Sequence, residues 1–399
     1  IILFPLSILH AQQVKVWEED ITMKTYLLGA DEKNPVLPEP YGNINRIYPY
    51  PMQDYLTDET EYKSYHAVFL ENEYIKVCIT PGLGGYLHYA TDKTNNQKIF
   101  YHNHVVKPAL IGTRGAWISG GIEWKYPAGH RLTVMMPVDY EIIKNKDGSV
   151  TCVVGETELR HRTRWVVSIT VEPGKSYIKQ DVKLINRTPF PVSFEWWANA
   201  AVYATENYQV IFPARVAATH GKTKFYPWPI INGIDYSFYK NNKKPMSFFD
   251  EGSTEDYFGG YNHDTKSGVV HVADHHVVRG KKFWTWGTAD DGLIWDEILT
   301  DYDGSYIELQ AGAYADNQPS YEWLSPFEVK SFTEYWYPVR NIGTFKRANI
   351  NAAVNLEKKK GNILYIAFNT TQKHSGAMVV LKRSGKEIFN ETIDISPDY

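Results

Sequence analysis

The sequence predicts an all-β protein, a large antiparallel sandwich in which two broad sheets face each other. Three observations carry that expectation. From about residue 65 to residue 340, short strand-like runs recur between Gly, Asn, Asp and Pro. No stretch sustains a helical period for long. Aromatics are abundant, with 29 Tyr and 12 Trp, and such side chains suit a pleated, half-buried surface.

Taken in order, residues 1–13 form an apolar run ending in small and polar residues, as a secretory signal peptide does. Export to a secreted or periplasmic location is therefore expected. Residues 14–44 read as an N-terminal extension, with a strand at Ile21–Leu28 followed by Pro35, Pro38 and Pro40. Residues 45–340 form the sandwich. Its strands are read at Tyr74–Thr80, Thr151–Glu158, Thr163–Val171, Val192–Ala198, Gly268–Val272, Tyr306–Leu309 and Ser331–Tyr337. After Arg340 the composition shifts, and residues 341–399 read as a partial C-terminal β unit with strands at Ile363–Phe368 and Ala377–Leu381. The chain ends just after a strand, so a longer parent protein is expected.

Of the 399 residues, 43% are hydrophobic and 22% charged, which calls for a packed core. The net charge of -4 lacks the Lys and Arg excess that phosphate binding demands, and nucleic acid is excluded as a partner. Two cysteines, Cys78 and Cys152, are too few for a disulfide framework and read as buried thiols. Neither a phosphate-binding glycine loop, a dinucleotide fingerprint nor a Gly-x-Ser-x-Gly elbow occurs. No cofactor is called for, and no apolar run is long enough for a transmembrane span.

Six segments are candidates for chemistry. In Thr113–His130, Arg114, Trp117, Glu123, Trp124 and His130 are concentrated in what reads as one glycine-rich loop. Glu123 is a candidate acid or base, and His130 its partner. In Tyr306–Gly312, alternation gathers Tyr306, Glu308 and Gln310 on one face, opposite Ile307, Leu309 and Ala311. Two carboxylates across a sugar are what glycoside hydrolysis needs, and Glu123 with Glu308 is the leading pair. His271, Asp274, His275 and His276 form a cluster whose spacing fits no closed metal motif, so no metal is assigned. Trp284 and Trp286 share a strand face that reads equally as a stacking platform or a core layer. Glu195, Trp197 and Asn199 also share a face, on a strand with aromatics on both sides that reads as buried between layers. The run Glu156, Glu158, Arg160, Arg162, Arg164 shares a face if its strand is continuous.

Glu73–Leu87, a strand running into Pro81-Gly82-Leu83-Gly84-Gly85 and a second strand, resembles the opening of galactose mutarotase-like domains. Asn186-Arg187-Thr188 leading into residues 191–199, then a late acidic strand, is similar in order. Gly120–Trp124, Tyr208–Pro213 and Tyr306–Gly312 resemble an uncharacterised family of that superfamily, often fused to tetratricopeptide repeats. The resemblance implies a β-supersandwich with a concave sugar-binding face and a glutamate base on a late strand, where Glu308 stands. The histidine acid of the epimerases follows an Asn in the strand after the Asn-x-Thr turn. Here Asn199 is followed by Ala200, so His130, His88 or a histidine of 271–276 has to replace it. The expected partner is a mono- or oligosaccharide. The expected activity is glycoside hydrolysis, with epimerase-like isomerisation or glycan binding without chemistry as alternatives.

Overall fold

The computed structural model describes residues 13–33, 47 and 49–398. The leader-like residues 1–12 and the prolines at 35, 38 and 40 lie outside the described residues. The chain folds into a 13-stranded sheet facing an 8-stranded one, with small accessory sheets. Pairing in both is antiparallel, except where Val105–Val106 runs parallel to Lys15–Leu28. The large sheet carries, as adjacent strands, Gly280–Thr285, Tyr306–Ala313, Trp196–Tyr203, Ile122–Lys125 and Tyr86–Asp92. These are called below the Lys282, Glu308, Asn199, Glu123 and His88 strands. The smaller sheet centres on Thr163–Val171, Ile178–Asn186, Val329–Arg340 and Ser267–Ala273.

Apolar residues alternate toward the space between the sheets and fuse into one core. Val77, Ile79, Leu87, Ile122, Trp124 and Leu309 of the large sheet meet Val154, Trp165, Val167, Val182 and Trp336 of the small one. The core face of the Glu123 strand is set by Trp124, whose ring lies 6.3 Å from that of Trp165. Since alternate residues of a strand point to opposite faces, Glu123 and Lys125 are directed to the other side of the sheet. That outer face carries the functional residues. Both cysteines are free and buried, and burial pushes each thiol up to about 12.

Several boundaries depart from the sequence reading. Residues 113–130 are not one loop: they contain the strands Gly115–Trp117 and Ile122–Lys125, the second of which is interior to the large sheet. Gly121 makes the join, at φ 57°, where a Cβ would sit 2.1 Å from the Leu87 carbonyl oxygen. Val192–Ala198 is two strands, Val192–Phe194 and Trp196–Tyr203, broken at Glu195. The Glu156–Arg164 ladder is not continuous, because its strand ends at Thr157 and a turn follows. Glu158 closes that turn by accepting the N–H groups of Arg160 and His161. An α-helix, Asp290–Leu299, was not anticipated. No helix among the described residues is long and apolar enough to cross a membrane.

One cross-strand row shows how the outer face is shaped. Gly280, Gly312 and Trp197 lie in register on neighbouring strands. The fully buried Trp197 ring lies across both glycines: a Cβ on Gly280 would meet it at 2.5 Å and one on Gly312 at 2.7 Å. A glycine is required for this close approach. Gly312→Ala is expected to lower stability by about 1–3 kcal/mol, the usual effect of overpacking. Thermal unfolding of the variant checks this, and an unchanged midpoint would show that Trp197 can shift freely.

Candidate functional site

The outer face of the Lys282, Glu308, Asn199 and Glu123 strands floors a cavity of about 360 Å³. That is within the range of small-molecule sites, roughly 300–1,000 Å³. Its lining includes Trp117, Lys125, His130, Glu195, His220, Lys282, Trp284, Trp286, Glu308 and Gln310. Register explains the convergence. Lys282, Gln310, Asn199 and Glu123 form one row across four strands, and Trp284, Glu308 and Ala201 form the row beside it.

Glu308 lies in the floor, only 6% exposed, and accepts a hydrogen bond from Gln310 Nε2 at 2.6 Å. Burial pushes its carboxyl up from the ordinary value, and the neighbouring Glu123 charge adds to this. His130, Lys282 and Lys125 oppose the rise without cancelling it. Glu123 is opposite in character. Burial would raise it too, but His130 and the hydrogen bonds from His130 and Trp117 hold its carboxyl below the ordinary value. Trp117 Nε1 donates to Glu123 Oε2 at 2.8 Å, and His130 Nδ1 lies 2.8 Å from the same oxygen. With a carboxylate on Nδ1, that nitrogen carries the proton. Nε2 is left as the ring nitrogen available to a ligand. Two carboxyls whose environments drive them apart are a recurring mark of acid–base sites.

Around them, buried polar atoms stand without protein partners. They are both side-chain amide atoms of Asn199, Gln310 Oε1 and Glu195 Oε2. The other oxygen of Glu195 accepts the Gly129 N–H at 2.5 Å. Buried polar groups in folded proteins are almost always paired, and Gln310 and Glu195 line the cavity, where a polar ligand can reach them.

Part of the lining is aromatic. Trp286 stacks on Trp295 of the helix, with centroids 4.0 Å apart and planes 17° apart, and meets Trp284 edge-on at 5.3 Å. Trp286 Nε1 donates to the Tyr306 hydroxyl at 3.1 Å.

The sequence-predicted residues divide accordingly. His130, Glu308, Gln310, Trp117 and Trp286 line the cavity. Asn199 is in its floor row, Glu123 stands behind His130, and Tyr306 supports Trp286 from below.

The remaining five are elsewhere. Trp124 faces the core, for the alternation reason given above. His271 is also in the core, 4.5 Å from the Trp336 ring and 1% exposed. Arg114 is a buried clamp, donating to the carbonyls of Pro51 and Leu132. His88 packs on His102, and burial lowers its imidazole to about 4. His276 lies in the turn after Ser267–Ala273, its N–H bonded to Asp274 Oδ1. Asp274, His275 and His276 offer ligand atoms within 4.8 Å of one another, but His275 Nδ1 is already engaged with Asp256.

Lys125, Lys282, His220 and Gln318 were missed. For Lys282 a signal existed, since alternation from Trp284 assigns it to the same face.

Comparison with known proteins gives the following. Residues 42–339 match the family described as Domain of unknown function (DUF5107), and residues 347–399 match the second domain of YphG-like proteins. A TPR-domain containing protein from Parabacteroides distasonis is similar, with 27% identity and a TM-score of 0.75 over 83% of this chain. The chain spans 56% of that protein's length. A putative mutarotase (YeaD) from Salmonella typhimurium shares 10% identity at a TM-score of 0.53, over 75% of this chain and 99% of its own. A galactose mutarotase-like protein from Clostridium acetobutylicum shares 11% identity at a TM-score of 0.51, over 69% of this chain and 96% of its own. These last two show a common fold, the galactose mutarotase-like supersandwich that the sequence resemblance implied.

Proposed function

The chain belongs to the DUF5107 family, and from that premise and the cavity we propose that it acts on a carbohydrate, interconverting the anomers of an aldose. The observation that carries the proposal is one cavity holding a buried Glu308 and a His130 backed by Glu123, over unpartnered amide and carboxylate atoms. Sugar hydroxyls satisfy such atoms, and the apolar face of a pyranose ring packs on Trp284 and Trp286. The mutarotase-like fold of the solved relatives supports the same reading.

Glu308, ionised, takes the proton of the anomeric hydroxyl. His130, held through Nδ1 by Glu123, gives a proton from Nε2 to the ring oxygen, and the bond from that oxygen to C1 breaks. The open-chain aldehyde turns about the C1–C2 bond. The ring then closes on its other face, with both protons returned. His130 thus replaces the histidine that is missing after Asn199. Hydrolysis by paired glutamates has weaker support, because Trp117 and His130 cap the Glu123 carboxylate and it does not line the cavity. Export remains part of the proposal on the leader-like residues 1–13 alone.

The test is exchange NMR on a panel of aldoses with catalytic amounts of the chain. Faster anomer interconversion than in buffer is expected for at least one sugar, with quenching of tryptophan fluorescence on binding. A panel on which no sugar exchanges faster and none binds would overturn the reading.

A further inference from the structure

We propose that Lys282 captures the open-chain aldehyde as an imine, so that the cavity holds its ligand covalently for part of the cycle. The proposal rests on the carbohydrate reading only for the identity of the aldehyde.

The geometry is that of a sheltered nucleophile. Lys282 stands in the floor row beside Gln310, 5% exposed, and its side chain lines the cavity. Nζ donates to Gln318 Oε1 at 2.7 Å, so its hydrogen-bond partner is an amide and not a carboxylate. The rings of Phe249 and Trp284 flank it at 5.2 and 5.9 Å. The charged groups nearest in effect are Lys125, which repels it, and Glu308 and Glu195, which attract it; His220 lines the same cavity. Burial first, then Lys125, brings the amine down to about 7 against the two carboxylates. An ordinary lysine titrates at about 10.4, so Lys282 gives up its proton more readily than the exposed lysines do. Desolvation beside another cation is an established way to activate a lysine toward carbonyls.

The chemistry balances without a co-reactant. The Nζ lone pair attacks C1, and the carbonyl π pair moves to oxygen, which takes a proton. Nitrogen loses a proton to give the carbinolamine. The hydroxyl, protonated again, leaves as water while the C–N double bond forms, and nitrogen then gives up its second proton. Glu308, on the adjacent strand and opposite Trp284, carries protons to and from that oxygen. Amine and aldehyde give imine and water, and nothing is oxidised or reduced. Hydrolysis reverses the capture and frees the aldehyde for ring closure.

The full chain is incubated at pH 7 with glycolaldehyde, which is too short to close a ring, and sodium cyanoborohydride. Peptides are then analysed by mass spectrometry. The expected result is a hydroxyethyl increment on Lys282, more than tenfold above exposed Lys144 and Lys146, abolished in Lys282→Arg and suppressed by galactose or another bound aldose in the unaltered chain. Even labelling of all lysines, or labelling of Lys125 in place of Lys282, overturns the proposal. The unaltered chain supplies this comparison by itself, whether or not the variant folds. Calorimetric sugar binding without Lys282 labelling defeats the imine and leaves the carbohydrate reading intact. Labelling of Lys282 with no sugar bound or exchanged does the reverse.

Discussion

Glu308→Gln is expected to slow anomer exchange by about a thousandfold, the middle of the range for loss of a general base, while sugar affinity changes only a few-fold. The amide has the carboxylate's shape, and its oxygen still accepts the Gln310 Nε2 bond seen at 2.6 Å; what it cannot do is take a proton. The same residue sets the acid limb of the pH profile. Glu308 acts as base only when ionised, so the rate falls as pH drops through its folded-state value. Burial raises that value, and the limb belongs above the ordinary glutamate value of about 4.3. Exchange rates from pH 4 to 8 read this directly. A limb at or below 4.3, or full activity in the variant, would remove Glu308 from the mechanism.

Glu123→Gln is expected to cost about a hundredfold in turnover with little change in KM, although Glu123 never touches the ligand. The variant keeps an oxygen for the Trp117 N–H at 2.8 Å and for His130 Nδ1 at 2.8 Å. It loses the negative charge that faces His130 Nδ1 while Nε2 passes its proton. Groups that act as a unit give non-additive losses. The double variant Glu123→Gln/His130→Ala is therefore expected to be no slower than His130→Ala alone. A merely structural Glu123 would instead give losses that multiply, together with a lowered melting temperature.

Period-two alternation made part of this site legible in the sequence. Tyr306, Glu308 and Gln310 share a face because Tyr306–Ala313 is a continuous strand, and any regular strand would reveal as much. Trp124 was misassigned because residues 113–130 read as a loop, where alternation has no force; as part of a strand it separates from Glu123 and Lys125. His271 misled for another reason. Residues 269–273 of its strand are buried on both faces, so period alone does not tell which layer a side chain enters. The helix Asp290–Leu299 is ten residues long, with Leu293 and Ile294 exposed, and its weak apolar stripe left little signal. Its Trp295 nevertheless backs the Trp286 wall. The meeting of His130 with Glu308 depends on cross-strand register between segments far apart in the chain, which no local pattern encodes.

That register has a consequence for how the protein acquires activity. The four floor strands are contributed by residues 122–125, 196–203, 280–285 and 306–313, and the Glu308 strand, last to be synthesised, lies between two earlier ones. A nascent chain stopped before it has no floor to the pocket, only two edges waiting for their neighbour. Ligand affinity should therefore report completion of the sheet, and a bound sugar should raise the melting temperature of the whole sandwich. Such closure through distant partners also favours slow folding.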